Sequence, residues 1–235
     1  MTNKEAKQFR TKRDIIFYVP NLIGYLRMCL CVCASFCLPR YGWSFIAILL
    51  ICAFTDLIDG IAARKLNQCS HYGELLDIIA DNACRTLSWI AVFVIAGERI
   101  TYLDATMCVI IPTTEWVSML ATQIEAVNRN KKHWKRTNDN APWLLQKIFK
   151  NGFKNPLGSL TIAGIFGLPL AKVARFNLSD PGAVPLASSL LDVLIMVLYA
   201  GRALGFWAET WVISNFLDQV LEEDTKADGK LRQQH

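Results

Sequence analysis

DLIDGIAARKLNQCSHYGELLDIIAD, residues 56–81, sets four aspartates, Asp56, Asp59, Asp77 and Asp81, between two long apolar runs. Asp56 and Asp59 are three residues apart and Asp77 and Asp81 four apart, so on helices each pair shares one face. Gly60 and Ala63 remove side-chain bulk beside the first pair, and Gly73 opens the helix that carries the second. An acidic side chain at mid-bilayer costs about 2.5–3.5 kcal/mol on the mildest scale, and mutual repulsion adds to that cost. A divalent cation reverses the balance. Carboxylate oxygens favour Mg²⁺ or Mn²⁺ over zinc, and two such ions side by side suit phosphoryl-group chemistry. Arg64, one helical turn beyond Gly60, offers a fixed fork for phosphate oxygens.

The surroundings of this segment predict a membrane. The chain has 235 residues, 53% of them hydrophobic, with a mean hydropathy of +0.27. A spanning helix needs about 20 mostly apolar residues. Six stretches approach that length, at residues 18–38, 43–60, 75–96, 102–121, 156–174 and 183–204. The expectation is an all-α, polytopic membrane protein with six transmembrane helices in one domain, residues 1–216, followed by a charged, disordered cytoplasmic tail at 217–235. The first apolar run reads as a transmembrane helix rather than a cleaved signal, being long and without a small-residue cleavage site.

Charge gives the orientation. Lys4, Lys7, Arg10, Lys12 and Arg13 precede the first run, Arg64 and Lys65 follow the second, and Arg129, Lys131, Lys132, Lys135 and Arg136 follow the fourth. By the positive-inside rule both termini and these loops face the cytoplasm. No aromatic-interleaved basic surface accompanies them, which excludes a nucleic-acid partner. Eight cysteines contain no CxxC pair, and Cys29, Cys33 and Cys37 follow helical spacing, so the thiols read as small apolar packers.

The full pattern, D-x2-D-G-x2-A-R-x8-G-x3-D-x3-D, resembles that of the CDP-alcohol phosphatidyltransferases. FYVPNLIGYLR at residues 17–27 and AARKLNQCSHYGELLD at 62–77 are similar to the eukaryotic phosphatidylinositol synthase branch of that family. The resemblance implies a six-helix membrane fold, commonly a homodimer, in the endoplasmic reticulum. It implies that Asp56, Asp59 and Asp77 hold two Mg²⁺ or Mn²⁺ ions, with Asp81 near the second and also accepting the proton of the attacking hydroxyl. Gly60, Arg64 and Ser70 match positions that bind CDP-diacylglycerol, and the alcohol acceptor implied is inositol. Three departures leave another alcohol, or a catalytically silent paralogue, as alternatives. Ala80-Asp81-Asn82 stands where the inositol enzymes carry Thr-Asp-Arg, with Arg85 one turn on. TTEWVSMLATQ at 113–123 has no histidine where they carry Ser-His-Trp, and LGSLTIAG from Leu157 replaces an Arg and tyrosines.

Other polar residues stand in apolar surroundings. Arg27 needs a partner inside the membrane, and Asn21 lies six residues before it. Glu115 reads as an acceptor-pocket group or a partner for Arg85. Asp192 and Arg202 face different partners, and Arg202 snorkels to the cytoplasmic surface. His71 reads as a solvated loop residue. Residues 141–153, APWLLQKIFKNGF, read as an interfacial amphipathic helix.

Overall fold

The structure is a computed structural model that describes residues 11–38, 40–128, 141–178 and 185–232. The basic positions 4–10 and 129–136 lie outside the described residues. The described residues are almost entirely helical, and no strand occurs among them. The helices are α1 (Lys12–Ile16), α2 (Val19–Phe36), α3 (Gly42–Lys65), α4 (His71–Ala96), α5 (Tyr102–Asn128), α6 (Trp143–Phe149), α7 (Pro156–Asn177) and α8 (Pro185–Arg232).

Five of these, α2, α3, α4, α7 and α8, are long and apolar enough to cross a bilayer. Their outward faces are lipid-like: Phe36 is 79% exposed and Met196 70%, a pattern that water would penalise and hydrocarbon does not. The protein is an integral membrane protein. The expected sixth span, α5, is 27 residues long but is not among the five. Pro112, Thr113, Thr114 and Glu115 at its middle reduce its apolar character, and the buried Glu115 is held by protein.

The chain divides into two compact units, Met1–Leu87 and Ser88–His235. In the first, local chemistry fixes the helix ends near the aspartates. α1 opens with a capping box in which the Thr11 N–H donates to Asp14, holding that carboxyl below its usual range. α2 begins with Pro20 in its first turn, and the Val19 N–H donates to Gln68 Oε1 at 2.9 Å. α3 closes with Arg64 and Lys65 in its last turn, where cations complement the helix dipole. The chain then turns through Asn67, whose φ of 52° is left-handed. Leu66–Gln68, read as a mark of the inositol branch, thus also serves the fold by reversing the chain and capping α2.

In the second unit α7 and α8 meet at Gly164 and Gly201, where a Cβ on either residue would enter the backbone of the facing helix. Such small-residue contacts are how helices approach closely in lipid. Asn155 caps α7, its Oδ1 accepting from the Gly158 N–H at 2.9 Å, and Pro156 follows at the first helical position. The short α6 buries Leu145 and Ile148 in a cluster with Ala141 and Ala208, flanked by Leu204, Trp207 and Trp211. Its other face stays open, with Trp143 exposed and Lys147 over the Trp143 ring at 4.5 Å.

α8 runs without a break past Leu217 to Arg232, where the sequence suggests a disordered segment. Residues 217–226 are mostly exposed, yet they are good helix formers extending a helix already nucleated, with a Lys226–Glu222 pair at 3.3 Å.

Candidate active site

The N-terminal unit brings the aspartate quartet to one point. Asp56 and Asp59 lie on the later turns of α3, Asp77 and Asp81 on the early turns of α4, and the residue at their centre is Arg27 of α2. Arg27 Nη1 is 2.9 Å from Asp56 Oδ1, 3.3 Å from Asp59 Oδ2 and 2.6 Å from Asp77 Oδ1, and Nη2 pairs with Asp81 Oδ1. Its side chain is 2% exposed, whereas those of Asp56 and Asp77 are 36% and 44% exposed. A solute can therefore reach the carboxylates but not the guanidinium. An intramembrane arginine was expected to have a partner; the structure supplies four.

The donor set suits a hard cation. Carboxylate oxygens of Asp56, Asp59 and Asp77 all lie within 4.8 Å of one another. One guanidinium balances one carboxylate of the four, and Arg85, with Nη1 3.9 Å from Asp81 Oδ2, flanks a second. The remaining negative charge, held on oxygen at a partly exposed spot, is what a divalent cation with oxygen preference requires. The residues fit such an ion.

Arg85 also explains one departure noted in the sequence. It reaches back along α4 to Asn82 Oδ1 as well as to Asp81. The positive group is displaced by one turn and still flanks the fourth aspartate.

The residues matched to nucleotide binding sit at the helix ends beside the quartet. Ser70 is the N-cap of α4, its Oγ accepting from the Gly73 N–H at 3.0 Å. A hydroxyl that accepts in this way keeps a proton to donate. Gly73 is required by close approach: a Cβ there would stand 2.5 Å from Asn21 Oδ1 and 3.2 Å from Ser70 Oγ. Asn21 is itself buried and donates to the Ile15 carbonyl at 2.5 Å, so it cannot easily yield. Gly60 lies under the Arg64 guanidinium, whose Nη atoms would be 3.8 and 3.9 Å from a Cβ at that position. Arg64 is exposed and turned back over the glycine toward the quartet's end of α3.

The second unit holds its own buried charges. Arg202 is fully buried rather than snorkelling, with Nη2 2.8 Å from Glu209 Oε2 and 3.4 Å from Glu115 Oε1. Its two carboxylate partners, Glu115 and Glu209, hold the guanidinium inside the protein. Asp192, by contrast exposed, pairs with Arg175 at 2.7 Å. One pair escaped the sequence reading altogether: Lys172 Nζ lies 2.5 Å from Asp104 Oδ1 and 4.8 Å above the Tyr199 ring. The available signal was a lysine inside the apolar run of α7, which demands a partner.

The chain is similar to several known proteins. A CDP-diacylglycerol–inositol 3-phosphatidyltransferase of Candida albicans is 40% identical over 91 residues, 38% of this chain and 39% of its own. A probable CDP-diacylglycerol–inositol 3-phosphatidyltransferase 2 of Arabidopsis thaliana is 27% identical over 148 residues, 62% of each chain. The CDP-diacylglycerol–inositol 3-phosphatidyltransferase of Rattus norvegicus is 26% identical over 120 residues, 51% of this chain and 56% of its own. In each case the match spans less than two thirds of the relative's length. No solved structure matches the chain. The family match itself runs over residues 17–214, taking in all four aspartates, Arg27 and every helix from α2 into α8, and by that extent the chain belongs to the CDP-alcohol phosphatidyltransferase family.

Proposed function

We propose that this protein transfers the phosphatidyl group of CDP-diacylglycerol to myo-inositol, giving phosphatidylinositol and CMP. The observation that carries the proposal is the convergence of four carboxylates from α3 and α4 on one accessible point with too little positive charge to balance them. The names of the relatives support inositol as the acceptor.

In this reading Asp56, Asp59 and Asp77 would hold Mg²⁺ or Mn²⁺, with Asp81 bordering the second of two ions. Such ions, when bound, supply positive charge against the diphosphate and the departing CMP. The rest is the work of the chain's own side chains. Arg64 presents its fork to phosphate oxygens, and the Ser70 hydroxyl donates a further hydrogen bond. Gly60 lets the nucleotide approach the α3 backbone. Asp81 receives the proton of the attacking hydroxyl at Oδ2, the oxygen not committed to Arg27. The acceptor oxygen bonds to the phosphorus that carries the lipid as the bond from that phosphorus to the CMP oxygen breaks, and CMP leaves with the electron pair. The protein works as a homodimer in the endoplasmic reticulum membrane, with the site and both termini toward the cytoplasm.

A second reading keeps the chemistry and changes the alcohol. Where the inositol enzymes carry Ser-His-Trp, Thr113 and Thr114 here turn their hydroxyls onto their own helix, donating to the Val109 carbonyl at 2.8 Å and the Ile111 carbonyl at 2.9 Å. That stretch offers the acceptor a different surface. The deciding experiment is CMP release by purified protein with CDP-diacylglycerol and Mn²⁺ or Mg²⁺, offering inositol, glycerol 3-phosphate and serine in parallel, with an EDTA control. Metal-dependent release with inositol alone supports the first reading. Release with another alcohol alone establishes the second. No release from protein that still binds the nucleotide lipid identifies a silent paralogue.

A further inference from the structure

Beneath the carboxylate cluster lies a second group of ligating atoms. Cys31, Cys52 and Cys84 come one each from α2, α3 and α4, and their sulfurs all lie within 4.8 Å of one another, with Cys31 Sγ and Cys84 Sγ 3.0 Å apart. The register is set by the same helix faces that build the aspartate site. Cys31 is four residues after Arg27, Cys52 four before Asp56, and Cys84 three after Asp81. Each thiol therefore sits one helical turn from a residue of the quartet's ring, on the same side of its helix.

We propose that Cys31, Cys52 and Cys84 form a three-thiolate site for one soft divalent cation, zinc, stacked one turn away from the hard-cation site. Zinc bonds thiolate sulfur at about 2.3 Å, so three sulfurs around one ion stand roughly 4 Å apart. The observed triangle is within reach of that figure by small side-chain rotations. Cys31 and Cys52 are buried, whereas Cys29 and Cys33 on α2 are exposed. Thiols serving only as apolar filler have no reason to converge sulfur on sulfur from three helices. Ligand softness separates the two sites: sulfur selects zinc, while the carboxylates select Mg²⁺ or Mn²⁺. Binding converts three thiols and one Zn²⁺ into a complex of net charge −1 with release of three protons. That charge lies one turn from Arg27, whose carbonyl oxygen is 3.9 Å from Cys52 Sγ. The ion ties together the three helices that carry the aspartates and Arg27, and so acts as a clamp on the site without touching substrate.

The test is metal binding by the full-length protein, purified reduced and under anaerobic conditions in detergent, and it does not depend on enzymatic activity. Zinc is counted by elemental mass spectrometry and its affinity measured by competition with a chromophoric chelator. Expected are one zinc per chain, affinity at least 10-fold weaker in each of Cys31→Ser, Cys52→Ser and Cys84→Ser, and zinc retained in Asp56→Asn. X-ray absorption at the zinc edge of the unmutated protein keeps the proposal testable should the variants fail to fold, and three sulfur neighbours at about 2.3 Å are expected. Zinc surrounded by oxygen and lost in Asp56→Asn would overturn the proposal. So would a zinc content no higher than that of the triple serine variant, or a Cys31–Cys84 disulfide in place of bound metal.

Discussion

The two units of this chain handle buried charge in opposite ways. In Ser88–His235, buried cations and anions come close to matching: Lys172 with Asp104, and Arg202 between Glu115 and Glu209. In Met1–Leu87 a single buried guanidinium faces four carboxylates. A charge taken out of water persists when paired. The near-matched pairs need nothing further and read as fasteners between α5, α7 and α8. The unmatched cluster is unfavourable by itself and has the donor set and the surplus negative charge that suit a cation. Surplus of one sign, more than burial or the number of charges, is what separates a binding site from a structural ion pair here.

The sharpest way to break this contrast is to remove one anion from the surplus. Asp81→Asn keeps the shape of the side chain and removes its ability to take a proton. CMP release is expected to fall by roughly 10²–10⁴-fold, the span of general-base contributions, while size-exclusion profile and melting temperature hold. Unaltered turnover in that variant would remove Asp81 from the chemistry.

Removing the cation instead tests the surplus directly. Arg27→Gln leaves four carboxylates without their central partner, and loss of one member of a buried ion pair costs about 3–5 kcal/mol. The apparent melting temperature in EDTA is expected to drop accordingly. Mn²⁺ or Mg²⁺ should restore much of it, since an ion that binds only the folded state stabilises by mass action. A melting temperature insensitive to divalent ions would contradict the reading of the cluster as a cation site.

How much of this was legible beforehand follows the range of each signal. The quartet was, because Asp56, Asp59, Asp77 and Asp81 lie within one short segment whose spacing gives the shared faces. Arg27 was legible as a residue in need of a partner, but nothing local says that α2 delivers it to the centre of residues 29 to 54 positions away. The thiol triangle was not legible, since its members are scattered over three helices and periodicity along α2 picks out Cys29, Cys33 and Cys37 instead. Ser70 caps α4 through its Oγ, a role that sequence resemblance, which spoke only for the nucleotide, did not show. The sixth expected span, α5, has the length but not the hydropathy of the other five, because Thr113, Thr114 and Glu115 stand at its middle. Beyond Leu217 the charge of the segment conceals its Leu, Glu and Lys residues, good helix formers that continue α8.

Lys172→Met is the counterpart in the matched unit. It strands Asp104, whose side chain is 6% exposed, and is expected to cost about 3–5 kcal/mol by the same argument as Arg27→Gln. Divalent ions should give no rescue, because the stranded group is one carboxylate and not a cluster. The double variant Lys172→Met, Asp104→Leu should recover most of the loss, read as melting temperature. Rescue of the single variant by Mg²⁺ would erase the distinction drawn between the two units.

The smallest expected effect lies at the α6–α7 joint, where polarity serves backbone alone. Asn155 accepts from the Gly158 N–H and donates through Nδ2 to the Ile148 carbonyl at 3.0 Å and the Lys150 carbonyl at 2.9 Å. Asn155→Ala is expected to cost about 0.5–2 kcal/mol, the range for a lost N-cap, with CMP release per folded molecule unchanged. Asn155→Asp separates the two halves of the role. It keeps the cap and adds a negative charge favourable at a helix N-terminus, but it turns both donations to carbonyls into repulsions. If aspartate restores stability, the cap of α7 is what matters. If aspartate is as damaging as alanine, the joint is held by the donations to α6, and the residue before Pro156 serves mainly to fix α6 against α8.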